Sequence, residues 1–157
     1  MKVRVIGVGN LLLGDEGVGV HAIRELERAP LPPGVELVDG GTAGLGLLGF
    51  LDDADAVIFI DAAELKSPPG SFRRFRTEQV RDLCQDRELS LHETGLLNVL
   101  ALARATGTWP REVILFGVQP ASLAPSMELS PACAGRLGEL AAEIRAEIDR
   151  LTAEGYH

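Results

Sequence analysis

The sequence predicts an α/β sandwich built on a mostly parallel sheet, and three observations carry that expectation. Short apolar runs such as Ala56-Val57-Ile58-Phe59-Ile60 read as strands buried on both faces. Segments with apolar residues at helical spacing alternate with those runs. The strand ends also carry polar side chains beside glycines: Gly9-Asn10, Asp39-Gly40-Gly41-Thr42, Asp61 and Gly117-Val118-Gln119-Pro120. In open sheets of this kind ligands sit beyond the carboxyl ends of the strands, so this rim is the expected functional edge.

The elements follow in order. Val3 to Val8 is a buried strand, and Gly17 to Arg28 a helix with Val20, Ile23 and Leu26 on one face. Pro30 to Gly34 ends that helix, and Val35 to Val38 is the second strand. Ala43 to Leu51, apolar and glycine-rich, suits a short helix, and Ala56 to Ile60 is the third strand. After the Pro68-Pro69-Gly70 turn, Ser71 to Arg76 mixes Phe72 and Phe75 with arginines, a composition suited to an edge strand. Gly95 to Thr106 is a helix stopped by Gly107, and Glu112 to Val118 a last strand. Ser130-Pro131 supplies an N-cap and a first-turn proline for a final helix striped by Leu137, Leu140, Ile144, Ile148 and Leu151. No repeat or interdomain linker interrupts residues 1–157, so one domain is expected.

Composition narrows the function. The formal net charge is -8 and the only lysines are Lys2 and Lys66, which argues against a nucleic-acid partner. No apolar run reaches membrane-spanning length, and Val3 to Leu13 is too interrupted by glycine and asparagine for a signal peptide. No membrane association is expected, and the location expected is cytoplasmic. Cys84 and Cys133 lack metal-finger or CxxC spacing and read as reduced structural thiols, with a nucleophilic cysteine as the alternative.

Several familiar motifs fail. Gly7 and Gly9 begin a dinucleotide fingerprint, but Leu12 stands in the third glycine position, and Asp15 and Glu16 place negative charge where a pyrophosphate would lie. No nucleotide is therefore expected, although Asp39 sits where a ribose-binding acid belongs. There is no P-loop and no GxSxG elbow. His92-Glu93 opens like a zinc-protease motif, yet Leu96 replaces the second histidine. Asp15 reads as a helix cap. Glu16, Asp61 and His92 remain as metal-capable side chains: two carboxylates balance a divalent charge, and an imidazole adds a nitrogen suited to nickel, zinc or cobalt. A structural role for Glu16 and a capping role for His92 stay open. His21, inside the first helix, and His157, at the chain end, are weaker candidates.

From Gly7 to Gly19 (GVGNLLLGDEGVG) the chain resembles the opening signature of the hydrogenase maturation endopeptidases, which trim the C-terminal extension of nickel-iron hydrogenase large subunits. The resemblance continues through Asp39-Gly40-Gly41-Thr42, Asp61-Ala62-Ala63, Leu91 to Leu96, Phe116 to Pro120 and Leu129-Ser130. One departure is mild: the family often has Asp-Asp where Asp15-Glu16 stands. The resemblance implies a three-layer α/β/α sandwich (phosphorylase/hydrolase-like) with a five-stranded sheet and one antiparallel strand, for which 71–76 is the candidate. It also implies that Glu16, Asp61 and His92 engage nickel carried in by the hydrogenase large-subunit precursor. The chemistry expected is metal-assisted hydrolysis, with Asp39 as general base or substrate-positioning acid, or else a simple turn residue. A nickel-checking or nickel-delivering chaperone, or a small-molecule metallohydrolase, would use the same three side chains.

Overall fold

The computed structural model describes residues 1–86, 90–91 and 95–154. Strands and helices alternate: β1 (Val3–Val8), α1 (Val18–Leu26), β2 (Val35–Gly41), β3 (Ala56–Glu64), β4 (Phe72–Phe75), α2 (Thr77–Asp86), β5 (Ser90–Leu91), α3 (Leu96–Thr106), β6 (Glu112–Val118) and α4 (Pro131–Glu154). The strands lie in the order β2-β1-β3-β6-β4. The first four are parallel. β4 runs antiparallel to β6, so the Arg-Phe segment is the expected reversed strand. β5 adds a two-residue antiparallel pairing at the end of β3, Leu91 opposite Ala63.

Strand alternation sends successive side chains to opposite faces, and each face has its own helices. On one, α1 and α4 cover Val5, Ile58, Ile60 and Phe116. On the other, α2, α3 and a 3₁₀ segment at Gly44–Phe50 cover Ile6, Phe59 and Leu115. This is the three-layer sandwich. Among the described residues no helix is long and apolar enough to cross a membrane.

The expected elements differ from the observed ones where polar residues intervene. β2 and β3 run on to Gly41 and Glu64, because Asp39 and Asp61 keep strand pairing after the apolar runs stop. α1 begins at Val18, since Gly14–Gly17 tighten into a 3₁₀ turn. α2 was not expected: Val80, Leu83 and Cys84 are its apolar stripe in an otherwise polar segment, too narrow a signal to stand out. The final helix starts as predicted, with the Cys133 N–H donating to Ser130 Oγ at 3.3 Å and Pro131 in the first turn. Gly107 takes the left-handed conformation that closes α3.

α4 is tied to the sheet by more than its apolar stripe. Glu147, 1% exposed, accepts hydrogen bonds from Arg74, Arg76 and Arg150. Burial alone raises its carboxyl pKa, but the Arg150 hydrogen bonds and the charges of Arg150 and Arg76 reverse that and hold it below the usual range. A depressed folded-state value means stability present above the ordinary value near 4.5 and lost as pH falls through the folded one. Glu147→Gln is expected to cost about 2 kcal/mol at neutral pH in urea titrations, with the deficit shrinking in acid as wild type loses the same contribution.

Candidate functional site

Two glycine contacts bring the start of α1 onto the strand ends. A Cβ at Gly7 would lie 2.2 Å from the Gly19 carbonyl oxygen, and one at Gly19 would lie 2.2 Å from the Ile60 carbonyl oxygen. Only bare backbone permits that approach. Gly9 then turns away with φ +129°, a conformation that favours glycine. A Cβ there would stand 1.9 Å from the Glu16 carbonyl oxygen and 3.8 Å from Asp61 Oδ1. The Glu16 backbone and the Asp61 carboxylate therefore meet at one glycine.

Both acids are withdrawn from solvent, Asp61 at 0% and Glu16 at 4% exposure. Asp61 pairs with Gly117 of β6, and strand alternation gives it the face of Phe59 and Ala63, the α2–α3 side. His92 lies outside the described residues. Its chain neighbour Leu91 is paired to Ala63, two residues beyond Asp61. Asp39 stands on the adjacent strand and is exposed. Its Oδ1 accepts the Gly41 N–H at 3.0 Å, the turn geometry of Asp-Gly-Gly. The β1–β2 register slips just there, between Gly7 and Val8. Among the described residues no group of three His, Cys, Asp or Glu is arranged to hold a metal ion.

Asp15 does not cap its own helix, contrary to the sequence expectation; neither the 3₁₀ turn nor α1 has a side-chain cap. Instead its carboxylate, 0% exposed, accepts the N–H groups of Ala121 at 2.8 Å, Ser122 at 3.1 Å and Ser130 at 2.8 Å. Burial raises its pKa, but the donors from Ser130, Ala121 and Ser122 outweigh that and hold it below the carboxylate range. The two backbones are stitched as well, Asp15 N–H to Ser122 O at 3.0 Å and Gly14 N–H to Ser126 O at 2.8 Å. No local signal marks this role, since the partners lie more than a hundred residues on. Gln119 is a second silent link: its Oε1 accepts the Leu65 N–H at 2.7 Å and its Nε2 donates to Glu64 at 3.1 Å, joining the ends of β3 and β6.

The remaining candidates separate cleanly. Burial pushes the Cys133 thiol up to about 11, and it donates to the Gln119 carbonyl, so near neutral pH it is an inert thiol. Cys84 is buried between α2 and its neighbours. His21 is half-buried on α1, where desolvation and Arg24 lower its pKa. His157 lies outside the described residues.

Known proteins share this sequence and fold. The hydrogenase maturation protease family profile matches residues 20–147. The Escherichia coli hydrogenase 2 maturation protease is 44% identical over 133 residues, 83% of this chain and 80% of that protein. The hydrogenase expression/formation protein HupM of Azotobacter chroococcum is 44% identical over 123 residues. That match takes in 78% of this chain but 59% of HupM, so the chain spans well under two thirds of that relative's length. Among solved structures, the hydrogenase maturating endopeptidase HybD of Escherichia coli superposes with a TM-score of 0.84 at 38% identity, covering 96% of this chain and 93% of that one.

Asp15→Ala should strand three amide donors and cost about 3 kcal/mol, with hydrogen exchange quickening across residues 121–130. Gly9→Ala should cost about 1–3 kcal/mol in Tm-derived stability, since its methyl group meets the Glu16 carbonyl.

Proposed function

The chain belongs to the hydrogenase maturation protease family, and from that premise we propose that it is an endopeptidase removing the C-terminal extension of a nickel-iron hydrogenase large-subunit precursor. What supports the reading is that the Glu16 backbone and the Asp61 carboxylate meet at Gly9, on the rim where an α/β sheet receives ligands. Both acids are withdrawn from solvent, and a divalent cation would offset the hydration their charged forms lose. With His92 completing the set, the donors are two carboxylates and an imidazole, a combination that suits nickel. Leu91, the chain neighbour of His92, pairs with Ala63 two residues beyond Asp61, and that register supports including His92.

In this reading nickel is part of the substrate, arriving in the precursor and marking completed cofactor assembly. Glu16, Asp61 and His92 are the residues that would hold the metal, which would supply Lewis acidity for carbonyl hydrolysis. The chain's own residues do the rest. Glu16 and Asp61 would present oxygens from a glycine-packed backbone, and precursor lacking the metal would bring nothing for those oxygens to ligate. Asp39, with Oδ1 held by Gly41, keeps Oδ2 for a water proton or a substrate N–H at the neighbouring strand end. Hydrolysis adds one water across the peptide bond: its oxygen joins the carbonyl carbon, the C–N bond breaks, and a proton passes to the leaving amine. The proposed location is the cytoplasm, a setting consistent with a buried, protonated Cys133.

Incubation with nickel-loaded precursor, followed by intact-mass measurement of the large subunit, is expected to show loss of a C-terminal peptide. Unchanged mass accompanied by metal transfer would favour a chaperone instead. His92→Ala should abolish trimming while leaving Tm within a degree or two of wild type; normal trimming by that variant would remove His92 from the site.

A further inference from the structure

Four large apolar side chains are conspicuously exposed among the described residues: Leu12 (59%), Leu45 (63%), Leu102 (39%) and Met127 (61%). Three of them stand on segments leaving the carboxyl ends of β1, β2 and β6, the rim that carries Glu16 and Asp61. Leu12 and Met127 are held as neighbours. Leu13 and Ser126 form a parallel bridge, and the Ser126 N–H donates to the Leu12 carbonyl at 2.9 Å. Leu45 follows β2, whose Gly41 carbonyl accepts the Gly9 N–H at 2.9 Å. These are braced positions and not frayed loop tips, because Asp15 fixes the Met127 loop from beneath.

The surrounding sequence is equally distinctive. In a chain of net charge -8, residues 5–14, 40–51 and 113–127 contain no charged side chain at all. Thus the acid centre is framed by uncharged, partly apolar loops. Exposed apolar surface of this kind, rigid and next to a reaction centre, is costly in water unless a partner covers it. Its rigidity also lowers the entropy lost when a partner docks.

We infer that Leu12 and Met127, flanked by Leu45, form the ridge on which an uncharged, apolar segment of the precursor protein docks beside its scissile bond. The inference rests on the protease reading for the identity of the partner. The chemistry selects the segment: Leu12, Leu45 and Met127 offer no charge of their own, with Glu128 bordering them, while leucine, valine or methionine would exclude water against Leu12 and Met127.

The test measures binding and trimming separately, with nickel-loaded precursor as the probe. Leu12→Asp/Met127→Asp is expected to weaken precursor binding, read by surface plasmon resonance, by about tenfold or more. KM for trimming should rise in step while kcat stays within about twofold, since neither side chain touches the acids. Leu12→Ser/Met127→Ser, with no added charge, should give a smaller loss in the same direction, and Leu102→Asp on α3 should change nothing. Circular dichroism and Tm matching wild type establish that the variants are folded. Unchanged binding by both double variants overturns the docking ridge, as does an equal loss in Leu102→Asp. Wild type that binds precursor through the ridge yet never trims it overturns the protease reading and leaves the ridge standing. Wild type that neither binds nor trims overturns both.

Discussion

The arrangement depends on a contact between backbones. At Gly7 and Gly19, and again at Gly9 and Glu16, main chain lies against main chain with no space for one carbon more. That closeness sets where α1 meets the sheet, and so how near the Glu16 backbone comes to Asp61 on β3. In a looser packing, with alanine in these places, Glu16 would be carried away from Asp61 by the width of a side chain. The glycines of the opening segment are thus a distance constraint written in residues that have no side chains.

Consecutive acids at 15 and 16 have opposite fates, and the contrast explains the rigidity of the rim. Asp15 is satisfied by three amide donors, which stabilise its charge and bind a distant loop. Glu16, one residue on, is buried and lays its backbone carbonyl against Gly9 at the strand ends. The first acid fixes the support on which the second stands. Gln119 repeats the device on the neighbouring strands, so three parallel strand ends are cross-braced by side chains with no apparent chemical role.

Much of the fold was legible because buried strands and amphipathic helices announce themselves by period. β6 has the bounds read from its apolar run, and the Arg-Phe segment was correctly taken as an outer, reversed strand. α2 was not legible, since only three of its ten residues are apolar, although Val80, Leu83 and Cys84 do keep helical spacing. The two acids were singled out from residue type and strand position, and Asp61 stands in the strand that predicted its place. The true part played by Asp15 was hidden, because a hydrogen bond to an amide a hundred residues away leaves no trace in local sequence. For Asp39 the turn geometry was foreseeable from Asp-Gly-Gly, while the register slip beside it was not.

The two outer strands of the sheet have a consequence of their own. β4 closes one side with Arg73 and Arg74 exposed, and β2 closes the other with exposed Glu36 and an irregular ladder near Gly40. Any extended polypeptide nearby can anneal to an open flank as an extra strand. Charge on one flank and a broken ladder on the other discourage such templating. Both sides of the sheet are thereby poor seeds for fibre growth.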